Sequence, residues 1–143
     1  MVTMPIDMEE WVKDLLAAWT SHDVENILPF YADDCIFEDL AISRVLNGKE
    51  ELRAYIKEGF TNLPDFRIEA KSSFASGDHV CIEWVMSGTR GNLPGMPVTN
   101  QSYSVPGVAV IELKKGKAKR ETDYYDGATL MRQLGLPPSS PQQ

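Results

Sequence analysis

The chain has 143 residues and a formal net charge of −7, with two cysteines and two histidines. That length suits one domain around a single core, and the acidic balance leaves no basic footprint for nucleic acid. Cys35 and Cys81 lack CxxC-type neighbours, and His22 and His79 sit in the polar turns SHD and SGDH, so a zinc centre has no support in the pattern.

The N-terminal MVTMPIDMEEW has neither a basic region nor a long apolar run, so no signal peptide or membrane span is expected and a cytoplasmic location follows by default. A first helix is predicted over residues 5–21, where Met8, Trp11, Val12, Leu15, Leu16 and Trp19 form a wide apolar stripe. Asp23 caps a short second helix carrying Val24, Ile27, Leu28, Phe30 and Tyr31, which Pro29 should kink or limit in length. Residues 35–39 form a short strand with Cys35, Phe37 and Asp39 on one face, and a loop runs on to Asn47. Asn47 caps a third helix with Glu50 at the capping-box position. Leu52, Tyr55, Ile56, Gly59 and Phe60 mark its apolar side, and Pro64 ends it.

Strands follow. Residues 65–75 place Phe66, Ile68, Ala70, Ser72 and Phe74 on one face; residues 79–91 place Val80, Ile82, Trp84 and Met86 on one face and Cys81, Glu83 and Val85 on the other. Both cysteines read as small buried hydrophobes, and both histidines as surface residues. The Pro- and Gly-dense segment 92–100 is irregular. Residues 101–113 form a long strand with a bulge expected at Pro106-Gly107. A turn at 114–117 leads into a last strand, 117–125, with Lys119, Glu121, Asp123 and Tyr125 on one face and Ala118, Arg120, Thr122 and Tyr124 on the other. Asp126 caps a final helix bearing Ala128, Leu130, Met131 and Leu134, and Gly135 closes it. The domain spans 1–136, and the tail 137–143, with nothing to bury, is expected to be disordered. Helices followed by a run of hairpin-linked strands predict an α+β fold, with helices on one face of an antiparallel sheet.

Asp126 has a structural task. Asp123 has none legible in the pattern. Buried in an apolar cavity, its pKa would rise into the working range of an acid–base group. The competing role is an ion pair with Arg90 or Arg120. Asp39 is the second candidate catalytic residue, with holding of the following loop as its competing role. Trp84, Tyr103, Tyr125 and Tyr31 are the candidate substrate-binding residues, offering flat surfaces for an aromatic or polycyclic ligand.

The element order resembles the nuclear transport factor 2-like cone fold. GNLPGMPVTN (91–100), ELKKGKAKRETDYYD (112–126) and LMRQLGL (130–136) resemble the SnoaL-like polyketide cyclase family. The resemblance implies a cone-shaped, curved antiparallel sheet packed against the N-terminal helices. It also implies a cofactor-free, metal-free cyclase or isomerase acting on a hydrophobic polycyclic or carbonyl compound in the cone. Asp123 matches the family's general acid/base near the end of the last strand, active in ring-closing aldol chemistry. YADDCIFED resembles the ketosteroid isomerase branch, whose base matches Asp39. Where cyclases of the family carry a histidine before the GMP loop, this chain has Thr89 and Arg90, and a second family histidine matches Ala109. The Arg-x-Asp pair of limonene epoxide hydrolases has no counterpart in Ile82-Glu83-Trp84-Val85. A non-catalytic ligand-binding or interaction module of the same fold is the alternative function. A homodimer is expected through the outer sheet face bearing Val108, Val110, Thr122 and Tyr124.

Overall fold

The computed structural model describes residues 7–136; the expected tail and the first two residues of the expected first helix lie outside them. Asp7 caps helix α1 (Met8–Thr20) by accepting from the Glu10 N–H at 3.1 Å, and the stripe Trp11, Val12, Leu15 and Leu16 is buried as its spacing requires. Asp23 caps α2 (Val24–Ile27), and Pro29 falls in a 3-10 turn, Leu28–Phe30, where the helix stops. Tyr31, expected on that helix, instead opens strand β1 (Tyr31–Asp39). Strand β2 (Arg44–Asn47) occupies the expected loop and leads directly into α3 (Gly48–Asn62). The capping box differs by one residue: Glu51, not Glu50, accepts from the Asn47 N–H at 2.9 Å, and the Asn47 side chain makes no cap bond.

Strands β3 (Arg67–Ser76), β4 (His79–Gly88), β5 (Tyr103–Lys114) and β6 (Lys117–Tyr125) form the hairpin series, and α4 (Gly127–Gln133) closes the chain. The six strands form one curved, open sheet in the order β2-β1-β6-β5-β4-β3. The α+β architecture is as expected, but the sheet is mixed: β1 lies parallel to β6, with Asp39 opposite Asp123. A parallel neighbour needs a crossover connection, and here the chain from β2 to β5 supplies it.

Two bulges correct the expected faces. The β3–β4 register shifts between Ala70 and Ser72, so the period-two alternation inverts and Phe74 emerges on the outer face, 67% exposed. The β5–β6 register shifts between Glu112 and Leu113, so Ala118 and Glu121 both point inward although the unbroken pattern puts them on opposite faces. No bulge occurs at Pro106-Gly107, where β4 and β5 pair without a break. Gly107 is required for another reason: a Cβ there would collide with the Trp84 indole.

Cys35 is buried but Cys81 is only half-buried, on the outer side of β4. His22 is not a free surface residue: its ring stacks on Phe60 and Nε2 lies 2.6 Å from the Phe66 carbonyl. Helix α1 packs on β3, α3 on β1 and α4 on β5. The space between these helices and the inner sheet face is the core at one end and a cavity at the other. Among the described residues no helix is long and apolar enough to cross a membrane.

Candidate functional site

The cavity has a volume of about 200 Å³. Its sheet wall comes from the inward residues of β4 and β5, among them Ile82, Trp84 and Ala109; its helix wall includes Leu15 and Trp19 of α1, Tyr55 of α3 and Leu130 of α4, with Leu134 just past the end of α4. The buried lining residues lie deep, whereas half-exposed Ile42 and exposed Glu58 lie at a rim between the β1–β2 turn and α3. Arg44 also reaches that rim, its guanidinium 5.3 Å from the Tyr55 ring centre and 3.4 Å from Glu58. The walls are mostly apolar, with three acidic groups pointing inward: Asp39, Glu121 and Asp123.

Strand geometry explains this cluster. Asp123 and Glu121 are two apart on β6 and so share a face. Asp39 ends β1 directly beside Asp123 in the parallel register. Ala109 of β5 sits opposite Asp123 on the other side, and its methyl group leaves room where the resemblance places a histidine. Thr89, at the other family-histidine position, lies outside the cavity and donates its N–H to Asp65 at 2.8 Å.

The three acids differ in their partners. Asp39 is 1% exposed and accepts from the Tyr55 hydroxyl at 2.5 Å, the Tyr125 hydroxyl at 2.9 Å and the Ala41 N–H at 3.1 Å. It therefore lines the cavity and also holds the following loop, with few lone pairs to spare for a substrate. Glu121 is buried and accepts from the Tyr31 hydroxyl at 2.7 Å. Asp123 has no cationic partner among the described residues. Arg120 points the other way and reaches Glu38 at 4.0 Å. The Asp123 Oδ1 is buried without a hydrogen-bond partner, and Glu121 lies two residues away on the same strand face.

Burial pushes the Asp123 carboxyl well above the usual carboxylate range, and the negative charge and hydrogen bond of Glu121, then the charge of Asp39, push it further. Burial raises Glu121 too, opposed by hydrogen bonds from Asp123 and Tyr31. The Tyr55 and Tyr125 hydroxyls are raised by burial and by the Asp39 charge, so they stay protonated donors. The arrangement offers a carboxyl pushed toward its protonated form on the wall of a largely apolar cavity, flanked by phenol donors. That is an acid–base device. Among the described residues no group of three His, Cys, Asp or Glu side chains has metal-holding geometry.

Of the residues singled out from the sequence, Asp123, Asp39, Trp84 and Tyr125 meet at this cavity, and Trp84 packs against Tyr125 with ring centres 5.9 Å apart. Tyr103 and Tyr31 do not line it. Tyr103 faces inward but at the far end of β5, beside Gly88 and Asp65, and Tyr31 lies behind Glu121. Glu121 and Tyr55 were not among the sequence candidates. Glu121 carried a signal, its shared face with Asp123; Tyr55 carried only its place on the apolar side of α3.

A family model described as SnoaL-like polyketide cyclase matches residues 9–134. No curated protein matches the sequence. Among solved structures, the chain is similar to a hypothetical protein with a ketosteroid isomerase-like fold from Catenulispora acidiphila, in complex with trimethylamine; identity is 25%, over 94% of this chain and 96% of that one, with a TM-score of 0.78. It is also similar to AclR from Streptomyces galilaeus, a candidate hydroxylase, at 22% identity over 94% of this chain and 88% of that one, TM-score 0.78. A third is IdmH from Streptomyces antibioticus, a candidate polyketide cyclase, at 18% identity over 92% of this chain and 100% of that one, TM-score 0.80.

Proposed function

Because the chain belongs to the SnoaL-like polyketide cyclase family, we propose that it is a cofactor-free acid–base enzyme of cyclase or isomerase type, acting on a hydrophobic carbonyl compound held in the cavity. The observation that carries this reading is Asp123: a buried carboxyl on the cavity wall with no cationic partner among the described residues and one buried oxygen left without a hydrogen-bond partner. An isolated buried acid costs stability, so its retention at this position favours use in proton transfer. Asp123 exchanges a proton with the carbonyl oxygen of the substrate or with the carbon beside it. Trp84 and Trp19 supply flat apolar surfaces for the substrate body. Tyr125 and Tyr55 hold Asp39 and narrow the approach.

We further propose that two chains pair through the outer sheet face. There Val108 lies opposite Tyr124, and Val110 and Tyr124 are 38% and 48% exposed.

The test of the catalytic reading is hydrogen exchange at carbon. Polycyclic and 1,3-dicarbonyl ketones are incubated with the protein in deuterated buffer, with binding followed by tryptophan fluorescence and deuterium uptake by mass spectrometry. Quenching with uptake beside the carbonyl, well above the buffer rate, is expected. Binding without exchange across the panel would favour the non-catalytic module, and neither binding nor exchange would overturn the choice of ligand class.

A further inference from the structure

The second buried acid has no part in that reading. Glu121 lies on the same face of β6 as Asp123, is 5% exposed, and accepts from the Tyr31 hydroxyl at 2.7 Å. Tyr31 is itself 1% exposed and has no place in the cavity wall. A buried phenol donating to a buried carboxyl beside Asp123 is a strand-to-strand link, from the start of β1 to the middle of β6, where β1 and β6 run parallel.

Two carboxyls two residues apart on one strand face, buried in an apolar interior, resist being ionised together, so one of them holds a proton more tightly than the other. Which one holds it depends on their other partners. A hydroxyl donating to one oxygen favours the charged form of that carboxyl. Tyr31 gives that support to Glu121, whereas Asp123 receives none on its free Oδ1. Around Asp123 stand Glu121 on its own strand, Asp39 and Tyr31 on β1, Tyr125 at the end of β6 and Tyr55 on α3. The phenols are donors or neutral, and Asp39 adds negative charge.

We propose that Glu121, braced by Tyr31, is a positioning residue that keeps the shared proton on Asp123, so that the resting site presents an acid and not a base to the substrate. The inference rests on reading Asp123 as the proton-transfer group. Glu121 never touches the substrate in this scheme; it acts through Asp123.

The test needs no substrate. Carboxyl carbons of the full chain are followed by 13C NMR across a pH titration, with the Asp123 signal identified by its loss in Asp123→Asn. In the wild type, the Asp123 carboxyl stays protonated at neutral pH while that of Glu121 is ionised. Glu121→Gln keeps an acceptor for Tyr31 but removes the facing charge, so the Asp123 midpoint moves to lower pH. Tyr31→Phe removes the brace, so the proton transfers to Glu121, whose carboxyl signal shifts to the protonated position. If Tyr31→Phe does not fold, Glu121→Gln decides alone. Glu121 protonated and Asp123 ionised in the wild type, or an Asp123 titration unmoved by Glu121→Gln, overturns the proposal. Either result leaves the hydrogen-exchange test of the function standing, and a protonated Asp123 in a protein that exchanges nothing would fail the function alone.

Discussion

Gly107 offers a prediction whose size follows from the coordinates. A Cβ at this position would stand 2.7 Å from the Trp84 Cζ3 and closer still to Cζ2 and Cη2. Ordinary carbon–carbon contact is about 3.5–4.0 Å, so in Gly107→Ala the indole or the strand must retreat by about an ångström. Trp84 is 3% exposed, packed against Tyr125 and paired with Gly107 across two central strands, so the one space open to the indole is the cavity it lines. Overpacking of this kind costs about 1–3 kcal/mol. For a chain of this length that lowers the melting temperature by roughly 3–10 °C. Gly59 is the matched control, because an added Cβ there meets nothing within 4 Å in the interior of α3. Gly59→Ala should stabilise by about 0.5–1 kcal/mol. Calorimetry of both variants checks the pair. The displaced indole also intrudes on the cavity, so ligand quenching of tryptophan fluorescence should weaken in Gly107→Ala. A melting point for Gly107→Ala at or above that of the wild type would refute the packing of Trp84 over this glycine, and with it the described sheet wall of the cavity.

The remaining predictions concern the acids and the outer face. Asp123, raised by burial and then by Glu121, keeps a proton in the folded state that the unfolded chain has already released, so its contribution to stability is complete below about pH 4 and is lost as pH rises through the folded value. The stability of Asp123→Asn relative to wild type should therefore improve steadily from pH 5 to pH 8 in urea titrations; a pH-independent difference would contradict the raised carboxyl. Asp39→Ala strands the hydroxyls of Tyr55 and Tyr125, at about 1–3 kcal/mol for each buried donor left unpaired, and an unchanged denaturation midpoint would remove Asp39 from its anchoring role. Tyr124→Glu with Val110→Lys should convert the proposed dimer to a monomer in sedimentation; a wild type that is monomeric at micromolar concentration would end the proposal for that face.

Local periodicity made much of this structure legible. The α1 stripe, the inward set Val80, Ile82, Trp84 and Met86, and the Asp126 cap, which accepts from the Thr129 N–H at 3.1 Å, follow from spacing and side-chain chemistry alone. What lay outside the pattern depended on distant partners. Four residues of β2 carry too short a run to register as a strand, and the β1–β6 pairing joins segments on either side of most of the chain. The bulges in β3 and β6 each shift the alternation by one residue, which sent Phe74 outward and Ala118 inward. Tyr103 had the right face but the wrong height on its strand, since alternation fixes a direction and not a depth. Asp123 stood out because its neighbours gave it no structural task. Glu121 shared the same face but drew no notice, because the Tyr31 hydroxyl that holds it comes from another strand.

The central claim, that Asp123 is kept for proton transfer and not for an ion pair, is tested most directly by the turnover of Asp123→Asn on a ketone that the wild type exchanges. The amide keeps the size and loses the ionisable proton. Turnover should fall by about 10²–10⁴-fold, with a melting temperature at neutral pH equal to or above that of the wild type. Turnover within a few-fold of wild type would contradict the claim. So would a destabilisation of about 3–5 kcal/mol, the mark of a broken buried ion pair.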